Sequence, residues 1–223
     1  VLLLFLAWGG CQSLQQEGTR SPEMRLLDDI RFLDYESAAG DAVYVAAQMY
    51  GLQPVVAGAP VVPWSGRDQR GHNVLAYVAG RHPGHATELV IVGADLDSPL
   101  NQGLIALLDL ARRYGQDADR GFMPDYTIMM GAFSGSATHH AGLRAYLQRP
   151  LWPTSHVRAL VYIAPIDSVG LAEIAKEIDM TLHVVVSGVQ DTTATPQVIV
   201  ADADRLSQKT DTLLRSISVV GQE

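Results

Sequence analysis

The stretch that decides the fold is Glu88–Pro99, ELVIVGADLDSP. Leu89 to Gly93 are apolar or small without a break, the pattern of a strand buried on both faces in a sheet covered by helices. The run ends in Asp95-Leu96-Asp97, two carboxylates with one residue between them, which in extended chain point to the same side. In open α/β sheets, sites form just beyond the carboxyl ends of such strands. A polar Asp-x-Asp at that place is where chemistry is expected.

Working outward, Asn73–Val78 (NVLAYV) predicts the preceding strand, closed by a turn over Gly80–Gly84. Gly103–Tyr114 predicts a helix, with Leu104, Leu107, Leu108 and Ala111 on one face and Arg112 and Arg113 suiting its C-terminal dipole. Asp125–Phe133 reads as a strand, Ala137–Leu147 as a helix, Val157–Ile163 and Leu182–Ser187 as strands, and Val198–Val200 as a weak one. Asp204–Ile217 closes as a helix with Leu206, Leu213, Leu214 and Ile217 on one side. Upstream, Ser21-Pro22 is a helix start, an N-cap serine before a first-turn proline, for a helix to Tyr35. A second helix, Gly40–Tyr50, stops at Gly51, and Leu52–Arg70 mixes short strand with loop. Helices followed by alternating strands and helices predict a three-layer α/β sandwich, its sheet mixed, mostly parallel and twisted, with helices on both faces.

Composition narrows the function. A chain of 223 residues fits one domain, and its net charge of −8 comes without any run of Lys or Arg. That lacks the basic footprint of a nucleic-acid binder. The one cysteine, Cys11, excludes an internal disulfide framework and a cysteine-rich zinc site. It follows an apolar run, Val1–Trp8, too short to span a bilayer, and the small pair Gly9-Gly10. The polar QSLQQEGTRSP comes after it. This pattern resembles the end of a bacterial lipoprotein signal, in which the cysteine is lipidated. The expected organisation is a signal over 1–11 ending at lipidated Cys11, a linker over 12–21, and a single domain over 22–223. Such a protein is exported and lipid-anchored to the bacterial cell envelope rather than spanning a membrane.

From Met24 to Gly170 the chain resembles the zinc-dependent aminopeptidase family that includes bacterial leucyl aminopeptidases, glutaminyl cyclases and the peptidase-like domain of the transferrin receptor. YGLQPV (Tyr50–Val55) is similar to the family's Gly-Leu-x-Pro turn, and HNVLAYVAGRHPG (His72–Gly84) to its Asn-Val-x-Ala strand and Gly-x-x-Pro turn. IVGADLDSP matches Gly-Ala-His-x-Asp-Ser. NQGLIALLDLARR matches the helix after Asp-Asn-x-x-Gly. GAFSGSATHHAGLRAYL matches the strand, Glu-Glu pair and Gly-Ser-x-x-Tyr helix, and IAPIDSVG (Ile163–Gly170) is similar to Leu-Asp-x-x-Gly. Six such segments in the family's order imply the family's fold.

The resemblance implies chemistry that these residues do not supply. The family's two zinc ions activate one water, with a glutamate as general base. Here Asp95 stands at the first His ligand, and Leu100, before Asn101, at the bridging Asp. Ser136-Ala137 replace the Glu pair, so the general-base position holds Ser136. Asp97 and Asp167 keep the family identity. No shift of alignment repairs this, because no carboxylate lies between Asp97 and Asp109 or between Asp125 and Asp167. The last histidine, His183, follows Asp167 closely, whereas the family's distal ligand lies much later.

The remaining candidates have plainer readings. Asp95, Asp97 and Asp167 could hold a hard cation through oxygen, but an acidic remnant capping helix N-termini is favoured. His139 and His140, adjacent on the predicted helix, point apart and do not chelate one metal; one buried and one solvated histidine is expected. GAFSGSA around Ser136 does not fit the Gly-x-Ser-x-Gly elbow. Trp64 and Trp152 are expected to anchor loops, and His72, His82, His85 and His156 to lie in loops. The expected function is therefore a non-catalytic, aminopeptidase-like exported lipoprotein, its remnant metal positions Asp95 and Asp167 empty and its cleft used for peptide or protein binding. Two alternatives stand beside it: an active metallo-aminopeptidase with a rearranged metal site, and a structural envelope protein. No cofactor is expected unless a rearranged site takes zinc.

Overall fold

Every residue from Leu89 to Asp95 is buried, as a strand covered on both faces must be. The computed structural model describes residues 45, 49, 52–56, 60–66, 69–85, 87–98, 102–164, 169–178, 181–186 and 196–220. Cys11, the linker, the helix expected over 22–35, Leu100, Asn101 and Asp167 lie outside the described residues. Of the helix expected over 40–50, Val45 and Met49 are described. Both are buried, and the Met49 N–H donates to the Val45 carbonyl.

The elements in order are β1 (Gln53–Pro54), β2 (Val61–Ser65), β3 (Arg70–Val78), β4 (Leu89–Asp95), α1 (Gln102–Asp119), β5 (Thr127–Phe133), α2 (Ala141–Gln148), β6 (Val157–Ala164), α3 (Val169–Ile178), β7 (Leu182–Val186) and α4 (Pro196–Val220). One sheet runs β1-β3-β5-β4-β6-β7, with β2 also paired to β3. β4 is parallel to β5 and β6, and β6 to β7, while β3 is antiparallel to β1, β2 and β5. Among these strands only β3 therefore runs against the others, so the sheet is mixed and mostly parallel.

The strand period of two sorts the core into two layers. Val90, Val92 and Ala94 face α1 and α4, meeting Leu104, Leu107, Leu206 and Leu214. Leu89 and Ile91 face the other way with Phe133 and Tyr162, under Leu143 and Leu147 of α2 and Leu171 and Ile174 of α3. Helices thus cover both faces, the expected three-layer α/β sandwich. Polar contacts tie the two helices of the first layer: Ser207 Oγ donates to Asp109 (2.6 Å) and Tyr114 Oη to Asp211 (3.1 Å).

Four expectations need correction. His72 lies not in a loop but in β3, paired with Pro63 of β2. Val198–Val200 is not a strand but part of α4; its three apolar residues belong to the first turns of a long helix opened by Pro196, a residue suited to a first turn. Helix α3 was not expected from the sequence, although Leu171 and Ile174, three apart, are its buried side. Finally, α2 starts at Ala141 rather than Ala137. A 3-10 turn over Ser136–Thr138 comes first, and His139 and His140 then adopt left-handed backbone (φ 56° and 55°) that no α-helix can contain.

Candidate functional site

The site end of the sheet is built around Asp95. It is the last residue of β4 and faces the α2–α3 layer, the same side as Gly93. In the sheet register Gly93 lies opposite Tyr162 of β6. A Cβ on Gly93 would sit 2.8 Å from the Tyr162 ring and 3.0 Å from that of Phe133. Gly93 therefore lets the tyrosine lie across β4, and the phenol reaches one step further up the same face. Tyr162 Oη donates to Asp95 Oδ1 at 2.7 Å.

His140 closes the group from the other side. Its Nδ1 lies 2.9 Å from the same Asp95 oxygen, and its ring meets Tyr162 edge-on at 5.4 Å. A carboxylate oxygen only accepts, so Nδ1 carries the hydrogen. Asp95 is 7 % exposed, His140 6 % and Tyr162 fully buried. Burial first, and then the charge and hydrogen bond of Asp95, hold the Tyr162 phenol well above its ordinary pKa. It is a neutral donor across the usual pH range.

Asp97 has a different task. Its two carboxylate oxygens accept the N–H groups of Gly135 (2.7 Å) and Ser136 (3.0 Å). The aspartate thus fills the anion-binding concavity that this turn would otherwise offer. Below the turn, Asn73 Nδ2 donates to the Gly142 carbonyl (2.9 Å) and Asn73 Oδ1 accepts from the Ser134 N–H (3.2 Å). Trp64 Nε1 donates to Ser134 Oγ (2.8 Å), anchoring β2 to the end of β5. At the rim, Arg144 donates to the His139 carbonyl (3.1 Å) and pairs with Glu177 of α3 (2.6 Å). His139 itself is exposed. One histidine is thus buried and one solvated, as expected, although neither is helical.

Of the residues singled out from sequence, the structure brings Asp97 to the backbone of Ser136 and pairs Asp95 with His140. Asp167 lies outside the described residues. Among the described residues, no group of three or more His, Cys, Asp or Glu side chains is arranged to hold a metal ion. Sequence reasoning missed Tyr162 as the partner of Asp95. Its only signals are a glycine inside a buried strand and an aromatic residue on the neighbouring strand.

No family model matches the chain, and no curated protein matches it by sequence. Solved structures do match its shape. An aminopeptidase from Aneurinibacillus sp. strain AM-1 is 12 % identical with a TM-score of 0.50, over 67 % of this chain and 47 % of that one. A protein of Bacteroides vulgatus ATCC 8482, assigned as a Zn-dependent exopeptidase, is 12 % identical with a TM-score of 0.51, over 74 % of this chain and 83 % of that one. The chain therefore spans about half the length of the Aneurinibacillus enzyme. At this identity the likeness concerns the fold, and the fold is aminopeptidase-like.

Proposed function

We propose that this protein is a non-catalytic relative of the zinc aminopeptidases, exported as a lipoprotein through Cys11, whose cleft serves peptide or protein binding. The observation that supports it is the state of Asp95. At the position of the family's first histidine ligand stands a carboxylate already engaged by Tyr162 and His140. Asp97 is likewise taken up, by two backbone N–H groups. The general-base position is Ser136, on a turn without a neighbouring carboxylate in sequence. The described donors thus do not fit a pair of zinc ions, which needs two histidines, a bridging carboxylate and further carboxylates. No step through zinc follows from them.

The test is metal content by mass spectrometry, with aminopeptidase assays, on the purified protein dialysed against zinc. The expected result is no stoichiometric metal and no turnover of aminoacyl substrates. One or two tightly held zinc ions, lost on Asp95→Ala, would overturn the reading in favour of a rearranged active site.

A further inference from the structure

The end of the sheet opposite Asp95 carries two loops of matching design. Arg120-Gly121-Phe122-Met123-Pro124 leads into β5, and Arg149-Pro150-Leu151-Trp152-Pro153 leads into β6. Each runs arginine, a turn residue, an apolar tip, a second large apolar residue and proline. β5 and β6 flank β4, and Leu89 pairs with Thr127 on one side and Val157 on the other. The loops therefore emerge at the same end, one on each side of β4. Phe122 is 68 % exposed, Leu151 48 % and Met123 37 %; only Val56 is also an exposed large hydrophobic among the described residues.

These tips stand on ordered turns. The Phe122 N–H donates to the Asp117 carbonyl (2.8 Å) and the Gly121 N–H to the Ala118 carbonyl (2.9 Å). Trp152 is the root of its loop, donating to the Thr87 carbonyl (3.3 Å) and packing edge-on against Tyr77 (5.8 Å). Leu151 is thereby turned outward.

Charge follows the same division. The half-buried acids of this end are already paired, Asp125 with Arg81 (3.2 Å) and Glu88 with Arg158 (2.7 Å). Arg120 and Arg149 are exposed beside the tips. The exposed acids beside the first tip, Asp117 and Asp119, are accompanied by Arg120, and Arg149 stands beside the second. Arg120 and Arg149 thus place positive charge beside both apolar tips, where an anionic surface would meet them.

The geometry points to a lipid bilayer as the occupant: Phe122, Met123 and Leu151 enter the acyl boundary while Arg120 and Arg149 meet lipid phosphates. Apolar tips flanked by arginine suit an interface that is oily below and anionic above. None of these residues touches the Asp95 group, so this inference stands or falls separately from the non-catalytic reading.

The test uses the full chain carrying Cys11→Ser, with a nitroxide on Phe122→Cys, Leu151→Cys or, as a control at the far end, Ser65→Cys. The probe is vesicles of equal parts phosphatidylglycerol and phosphatidylcholine. Label depth is the readout, because the apolar N-terminal run could itself hold the chain on a vesicle. The expected result is labels at 122 and 151 shielded from a water-soluble nickel relaxant and accessible to oxygen, with the label at 65 in water. Phe122→Ser with Leu151→Ser should weaken vesicle partition by about tenfold or more. Tips that stay in water on vesicle-bound protein would overturn the proposal. So would tips that become buried without lipid as protein concentration rises, which would give this end to a second copy.

Discussion

Replacing Tyr162 by Phe removes one oxygen and leaves the packing over Gly93 in place. The lost bond runs from a buried phenol to a buried carboxylate at 2.7 Å. Hydrogen bonds to charged groups contribute about 1.5–3 kcal/mol, and among the described residues Asp95 Oδ1 would keep only His140. A loss of about 2 kcal/mol is expected, or about 4–8 °C in melting temperature for a domain of this size. Urea unfolding at pH 7 measures it, with Tyr146→Phe as control. That phenol, also buried, donates only to the Met129 sulfur at 3.4 Å, a weak acceptor, and its loss should cost under about 1 kcal/mol. The alkaline limb adds an independent check. The folded pKa of Tyr162 is raised, so its contribution is complete below the unfolded value near 10 and is lost as pH rises above it. Tyr162→Phe should reduce the fall in stability there by up to about 1.4 kcal/mol per pH unit. If Tyr162→Phe and Tyr146→Phe behave alike at pH 7, the Asp95 group holds nothing together and the reasoning fails.

Other substitutions probe the same end of the sheet by different physics. Gly93→Ala places a methyl 2.8 Å from the Tyr162 ring and should destabilise by about 1–3 kcal/mol through overpacking, read by thermal melting. His139→Gly relieves left-handed backbone at an exposed site and should stabilise by about 1 kcal/mol, whereas His140→Gly relieves the same strain but loses Asp95 and should destabilise. Equal shifts of the two glycine variants in chemical denaturation would show that the Asp95 contact is idle. Gln102 is fully buried at the start of α1, and among the described residues neither of its amide atoms has a hydrogen-bond partner. Gln102→Met should therefore raise stability by about 1–2 kcal/mol, and a fall in the same assay would mean that the amide has a partner.

The architecture was legible where burial imposes a period. β4 and β5 are near-continuous apolar or small runs and β6 is one after Arg158, and their boundaries fell within two residues of the observed strands. Legibility failed where a short apolar run suits either geometry. Val198–Val200 is β-branched and apolar, but it sits in a helix whose stability comes from later residues such as Leu206 and Leu214 packing on α1. The early end of the helix predicted at Ala137 had a different cause. Ala137 to Leu147 contains no proline, and nothing in its composition announces that His139 and His140 leave helical backbone. Their conformation comes from tertiary contacts, with Asp95 drawing His140 inward and Arg144 holding the His139 carbonyl.

The candidate site was legible as a place but not as a set of partners. Asp95 and Asp97 could be assigned to a strand end because β4 is so plainly a central strand. What each carboxylate does depends on residues far away in sequence, Tyr162 for one and the Gly135–Ser136 backbone for the other. Gly93 is the link between the two levels. A glycine in the middle of a buried strand weakens it and needs a reason, and here the reason is a ring lying across the strand. Without that gap the phenol could not reach Asp95, and a buried carboxylate with only His140 beside it among the described residues would be hard to keep. Aspartate at this position is therefore tolerated because glycine stands two residues before it and tyrosine on the strand beside it. The three have to be read together, and changing any one of them should move the other two.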